Sequence, residues 1–320
     1  MRSWIRLFKT NKRAQFVSAV FYIHNGAHHI LSNVKMIYET LSLNFEHFEL
    51  IFVDDSSDDC SIEEIKKFTS TVNECCSIRI IELGNYHGVE LSMQAGVSIA
   101  IGDFVYEFDT INIDYPQNLI MQVFEEVEKG FDIVSAMPKN INKLQSKVFY
   151  RVLKSTLKGE QNISTESFRV LSRRGINRVN SISNKTFYRK LVYASSGLKT
   201  TSIAYENNIL KNKQDAVTMQ HRRNMAIDTF IIFTDVAYRI SLVLSAIMAL
   251  LMFGFGIYTI IIYFGTQRPV EGWAPIMGLL SGGFFGIFIL LSILIKYLDL
   301  IVKNMFNHNK FLISSITKLK

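Results

Sequence analysis

Two stretches near the C-terminal end contain no charged side chain, and they constrain this chain more than any other feature. Residues 240–265 (ISLVLSAIMALLMFGFGIYTIIIYFG) and 272–295 (GWAPIMGLLSGGFFGIFILLSILI) are separated only by the connector 266–271. As helices rising about 1.5 Å per residue, each is long enough for a hydrocarbon layer about 30 Å thick. A two-helix transmembrane hairpin is therefore expected. Arg222, Arg223 and Arg239 precede the first stretch and Lys296, Lys303 and Lys310 follow the second, while the connector carries Arg268 with Glu271. The positive-inside rule puts both termini in the cytoplasm, the chain being a multi-pass protein of the inner membrane. Residues 221–239 (HRRNMAIDTFIIFTDVAYR) read as an amphipathic helix at the inner leaflet or as an extension of the first span.

Over all 320 residues, 48% are hydrophobic and 20% charged, too greasy for an ordinary soluble enzyme and too polar for a polytopic transporter. A soluble part joined to a membrane part follows. The net charge of +7 is spread along the chain, so nucleic acid is not an expected partner. Cys60, Cys75 and Cys76 make neither a disulfide framework nor a C-x-x-C zinc site, which suits a reducing, cytosolic setting.

The soluble part alternates short apolar runs with helical patterns. Strands are expected at 16–24, 48–55, 77–83, 103–109 and 132–137, and helices at 27–42, 61–72, 89–101 and 117–129. Near-continuous apolar strands imply burial on both faces and parallel pairing, hence an α/β, doubly wound sheet with ligands at the strands' carboxyl ends. Acidic residues stand there: Asp54, Asp55, Asp58 and Asp59 after the second strand, and Asp109 and Asp114 after the fourth. They suit hydrogen bonds to a ribose or base and a divalent cation on a diphosphate; a turn with a helix N-cap accounts equally well for 54–59. Neither G-x-x-x-x-G-K-[ST] nor G-x-G-x-x-G occurs. His24, His28 and His29 lack the spacing of a metal cluster.

The order of motifs resembles family-2 glycosyltransferases of the GT-A fold, and most of all the membrane-anchored polyprenyl-phosphate sugar transferases related to dolichol-phosphate mannose synthase. Val20 to Gly26 (VFYIHNG) resembles the family's V-P-x-Y-N-E start, and Val53-Asp54-Asp55-Ser56-Ser57-Asp58 its V-D-D-G-S-x-D element. Asn85, Gly88, Ala95-Gly96 and Ala100-Ile101-Gly102-Asp103 are similar to its N-x-G, A-G and A-x-G-D positions, with one extra residue between Asn85 and Gly88. Phe168-Arg169-Val170-Leu171-Ser172-Arg173 resembles its F-R-L-L-x-R run. Two departures stand out. The metal motif D-x-D reads Asp109-Thr110-Ile111, and the family's G-D-F reads Glu166-Ser167-Phe168.

The resemblance implies an organisation: a cytoplasmic GT-A domain over 1–220, an interfacial helix over 221–239, the hairpin over 240–303 and a basic tail over 304–320. It implies inverting transfer of a sugar from a nucleotide-diphosphate sugar to a lipid-linked acceptor, a polyprenyl phosphate or lipid-linked glycan. Asp54, Asp55 and Asp109 would bind the donor; Asp109, helped by Asp114, would hold Mg²⁺ or Mn²⁺; Glu166 and Arg169 would serve catalysis, with Arg173 and Arg174 as further phosphate binders. The departures favour a second expectation, a degenerate, non-catalytic GT-A protein that binds a nucleotide sugar or a partner enzyme.

Overall fold

The computed structural model describes residues 12–72, 76–139, 166–182, 189–206, 273–306 and 312–320, with isolated positions between 243 and 257. The segment 221–239 and the connector 266–271 lie outside the described residues. The chain forms two compact units, 1–225 together with 309–320, and 226–308.

The first unit is built on an eight-stranded sheet. Its centre is four parallel strands in the order β4-β1-β2-β3: β1 (Arg13–Ile23), β2 (Phe45–Asp54), β3 (Cys76–Leu83) and β4 (Phe104–Phe108). They alternate with α1 (Ala27–Asn44), α2 (Ser61–Thr71) and α3 (Val89–Ile99), and α4 (Leu119–Glu128) leads on to β5 (Ile133–Pro138). The strands are largely apolar through their centres because both faces are covered. Ala19, Phe21, Leu50 and Phe52 join one buried cluster with α1, α2 and α4, while Val20, Ile51 and Val53 join another with α3. Phe21 stacks between Phe52 and Phe108 at centroid distances of 5.1 and 4.9 Å. On the opposite face α3 lies directly on the strands at Gly96, where a Cβ would stand 2.3 Å from Val20 Cγ1 and 2.7 Å from Val53 Cγ2. That close approach gives the A-G motif its physical meaning.

The expected parallel pairing holds for these four strands and is corrected beyond them. β6 (Phe168–Ser172) enters antiparallel between β4 and β5, β7 (Thr200–Tyr205) runs parallel to β5 at one edge, and β8 (Ile313–Lys318) lies antiparallel along β3 at the other. Two short helices, α5 (Arg173–Ile182) and α6 (Arg189–Ser195), separate β6 from β7. Residues 304–320, expected as a basic tail, thus include a sheet strand. β3 would otherwise present an unpaired edge, and β8 satisfies its backbone groups.

In the second unit the stretch expected as the second span is helical, within α7 (Trp273–Phe306). Counted over the described residues alone, no helix is long and apolar enough to cross a membrane. Met248, a helical position of the first uncharged stretch, touches α7 at Gly286, where a Cβ would come within 2.9 Å of Met248 Cε. A small residue there lets the two segments approach closely.

Candidate active site

At the carboxyl ends of β1, β2 and β3 the acidic run divides its labour. Asp55 is fully buried. Its Oδ1 accepts the His87 backbone N–H at 2.7 Å, and its Oδ2 accepts the Gly88 N–H at 2.7 Å and the Tyr22 hydroxyl at 3.1 Å. Burial and then the Asp55 charge push the Tyr22 phenol far up, so it stays a neutral donor. Asp55, expected on the nucleoside, is thus a brace that joins β1 and β2 to the loop after β3. Asp54 differs: Oδ2 accepts the Ser57 N–H at 3.3 Å, while Oδ1 is buried without a partner among the described residues. Burial raises the Asp54 carboxyl, and its buried Oδ1 is an unsatisfied acceptor among the described residues.

The turns around these aspartates are tightly specified. Ser56 takes φ 55° and Asn25 φ 51°, the left-handed region. Asn25 tolerates it and accepts the Asp58 N–H on Oδ1 at 2.9 Å; at Ser56 the resembling motif carries glycine. The N-cap of α2 is Cys60 and carries no side-chain cap bond; Asp59, one residue earlier, accepts the Ser61 N–H at 3.0 Å and, from the first turn of α1, the Ala27 N–H at 3.0 Å. His24 Nδ1–H donates to the Asp55 carbonyl at 2.9 Å, and its ring lies 4.7 Å from that of Tyr86.

At the end of β4 the structure assembles a buried ionic cluster that sequence reading caught only in part. The antiparallel register sets Arg169 of β6 opposite Glu107 of β4. Arg169, fully buried, donates to Glu107 Oε2 at 3.0 Å and to Asp109 Oδ2 at 2.7 Å. Arg189 of α6 donates to Glu90 at 2.9 Å, to Glu107 Oε2 at 2.6 Å and to Asp109 Oδ1 at 2.6 Å. Tyr193 completes Glu107 at 2.7 Å and receives the Arg169 guanidinium 5.2 Å above its ring. Burial pushes the Glu107 carboxyl up against the pull of Arg189 and Arg169. For Asp109 the balance reverses: burial is outweighed by Arg169, Arg189 and Lys190, and the carboxyl is held well below its ordinary range.

Each remaining expected residue has a definite place. Arg169 braces Asp109 and Glu107 from within the protein instead of presenting its guanidinium to phosphate. Glu166 Oε2 stands 3.0 Å from Arg169 Nε without hydrogen-bond geometry. Arg173 is spent on the carbonyls of Gly102 and Ala100, and Arg174 forms a bidentate pair with Asp132. Asp114 accepts the Tyr205 hydroxyl at 2.7 Å, and Ser167 bonds both Tyr205 and Asp114. Ile111, standing where D-x-D has its second carboxylate, is buried in the main core cluster. Among the described residues no group of three or more His, Cys, Asp or Glu is arranged to hold a metal ion.

This geometry has known counterparts. The family model described as glycosyl transferase family 2 matches residues 18–193, more than half of the chain. The chain belongs to that family and, with its homologues, is a glycosyltransferase. It is 22% identical over 270 residues to an uncharacterized glycosyltransferase, YkcC, of Bacillus subtilis, covering 81% of each chain. It is 20% identical over 232 residues to an undecaprenyl-phosphate 4-deoxy-4-formamido-L-arabinose transferase of Klebsiella pneumoniae, covering 70% of each. The fold matches a mannosyltransferase of Pyrobaculum calidifontis, solved with GDP-Man and Mn²⁺, at a TM-score of 0.50 and 14% identity, over 93% of this chain and 89% of that one. This likeness establishes the GT-A-type fold.

Proposed function

We propose that the chain transfers a sugar, with inversion, from a nucleotide-diphosphate sugar to a lipid-linked acceptor at the cytoplasmic face of the inner membrane. The observation that carries the lipid acceptor is the surface of α7: Ile276, Leu280, Phe284, Ile287, Leu291 and Leu294 repeat at helical spacing and are all exposed. An apolar stripe of that length asks for a lipid environment. The polyprenyl-phosphate relative supports the same reading.

The donor belongs at the carboxyl ends of β1, β2 and β4, with Asp54, whose buried Oδ1 lacks a partner among the described residues, toward the nucleoside and Asp109 facing the diphosphate. The residues fit a divalent cation in a minimal form. Four carboxylates, Glu90, Glu107, Asp109 and Glu166, face Arg169 and Arg189 with Lys190 acting on Asp109, so the cluster carries one net negative charge when all four are ionised. Asp109, whose side chain is 15% exposed, would hold the ion in place of one guanidinium, with Asp114 turned toward Tyr205 and Ser167. Bound there, Mg²⁺ or Mn²⁺ neutralises charge on the departing diphosphate. A phosphate acceptor is already anionic and needs no strong base, which suits a serine at 167.

Turnover of a radiolabelled nucleotide-sugar panel with polyprenyl phosphate and native lipids tests the reading. Label in the lipid fraction is expected; nucleotide binding without turnover of any donor would favour the non-catalytic alternative. A cysteine in the connector 266–271 should react with an impermeant thiol reagent from outside the membrane, and the reverse labelling would overturn the orientation.

A further inference from the structure

The C-terminal strand does more than close a sheet edge. Leu312, the residue immediately before β8, meets the loop that Asp55 braces: the Gly84 N–H donates to the Leu312 carbonyl at 2.9 Å, and the Leu312 N–H donates to His87 Nε2 at 3.1 Å. His87 Nδ1 lies 2.6 Å from the Asn85 carbonyl, which can only accept. One neutral tautomer satisfies both contacts, with the proton on Nδ1 and the lone pair on Nε2. The His87 and Gly88 N–H groups in turn hold the two oxygens of Asp55. An unbroken chain of hydrogen bonds therefore runs from the last strand through the imidazole to the floor of the nucleotide site. Leu312 follows the end of α7, Phe306, by six positions.

We propose that His87 is a positioning residue, a latch through which the C-terminal strand sets the loop at 84–88 for the nucleotide of the donor. The inference rests on the reading of this corner as the donor site. Docked, β8 holds the ring, the ring holds the turn, and the turn presents its two N–H groups to Asp55; released, the turn loses the support that fixes Asp55 and its neighbour Asp54. The membrane segment and the donor site are thus connected by a short covalent path that ends in the latch.

The test uses the full chain in membranes or detergent, with UDP, GDP, CDP and dTDP as probes. His87→Ala removes the acceptor; Leu312→Pro removes the donor N–H and spares the ladder of β8 with β3, which begins at Ile313, and Leu312→Ala serves as the control for the side chain that packs over Gly84. The first two variants should each bind nucleotide about threefold to tenfold more weakly, the equivalent of one lost hydrogen bond. Donor KM should rise with kcat unchanged, and His87→Gln, whose carbonyl can stand in for Nε2, should recover most of the affinity. Amide exchange at His87 and Gly88 should accelerate in both variants while β3 stays protected. Wild-type exchange and wild-type nucleotide affinity in both variants would overturn the latch alone. A wild-type chain that binds none of the four nucleotides would overturn the donor reading and the latch with it.

Discussion

Arg189 Nη2 donates to Asp109 Oδ1 at 2.6 Å, joining a residue of α6 to the end of β4 across 80 positions of chain. The contact makes the conformation of the first acidic residue of the D-x-D remnant depend on a helix far along the sequence. Arg189→Ala leaves Glu107 and Asp109 to share Arg169 and strips buried Glu90 of its guanidinium, and removing one partner from a buried ionic network typically costs about 3–5 kcal/mol. Denaturant unfolding should show a loss of that order. Adding Glu90→Gln, which deletes the buried charge left without a guanidinium, should restore part of it; unchanged stability in Arg189→Ala would mean that the cluster adds nothing to folding.

Ile111→Asp rebuilds the D-x-D spelling without rebuilding the site. Ile111 is 7% exposed within the apolar core, and its carbonyl is tied to Asn33 Nδ2 at 2.8 Å. An unpaired carboxylate there should cost about 3 kcal/mol. A lower melting temperature with no gain in Mn²⁺ affinity is expected. Tighter Mn²⁺ binding at wild-type stability would show that the loop can turn this side chain outward.

Ser56→Gly should stabilise the protein. The serine holds φ 55° at the cost of Cβ crowding, which glycine avoids, at some entropic cost in the unfolded chain. The balance favours glycine by about 0.5–1 kcal/mol. Thermal melts should record the rise, and a fall would show that the hydroxyl does something more valuable than the strain it imposes.

Asp59 links the first turns of α1 and α2, and its carboxyl is lowered: burial opposes the shift, and the hydrogen bonds from Ser61 and Ala27 outweigh it. A lowered folded pKa contributes stability that is present above the unfolded value, about 3.9, and is lost as pH falls through the folded value. Asp59→Asn should cost about 1 kcal/mol at neutral pH and flatten this part of the acid limb below about pH 4. Parallel acid unfolding curves for the two proteins would refute the assignment.

How much of this was visible in the chain differs from element to element. The first five strands and four helices announced themselves because apolar runs such as Leu50 to Val53 and the helical patterns between them are local signals. β6 was seen as a motif and missed as a strand. Its antiparallel entry depends on pairing Arg169 with Glu107, a contact between distant segments. A signal existed nonetheless: single charges inside apolar runs, Glu107 in FVYEF and Arg169 in FRVLS, each require a buried partner of opposite sign. Glu90, Arg189 and Tyr193 carry no such mark, since helix and loop sequences accommodate charged or polar residues anywhere. Asp54 and Asp55 were located correctly at the strand end, but which of them keeps a free oxygen depends on the path of the loop at 85–88. β8 escaped notice because ISSITK is short and mostly polar, as an edge strand should be.

The return of β8 to the sheet also constrains the path of the chain between the two halves of that sheet. The polypeptide leaves the first unit after Met225 and rejoins it at Asn309, and β8 is hydrogen-bonded to β3 along its length. A strand cannot pair with another across a bilayer. Any membrane passage made between those two points must therefore be even in number, whatever the hydropathy of the individual stretches suggests. The parity comes from backbone pairing alone, independent of the distribution of arginine and lysine, and a variant in which one crossing was deleted or added would have to give up the last strand of its sheet.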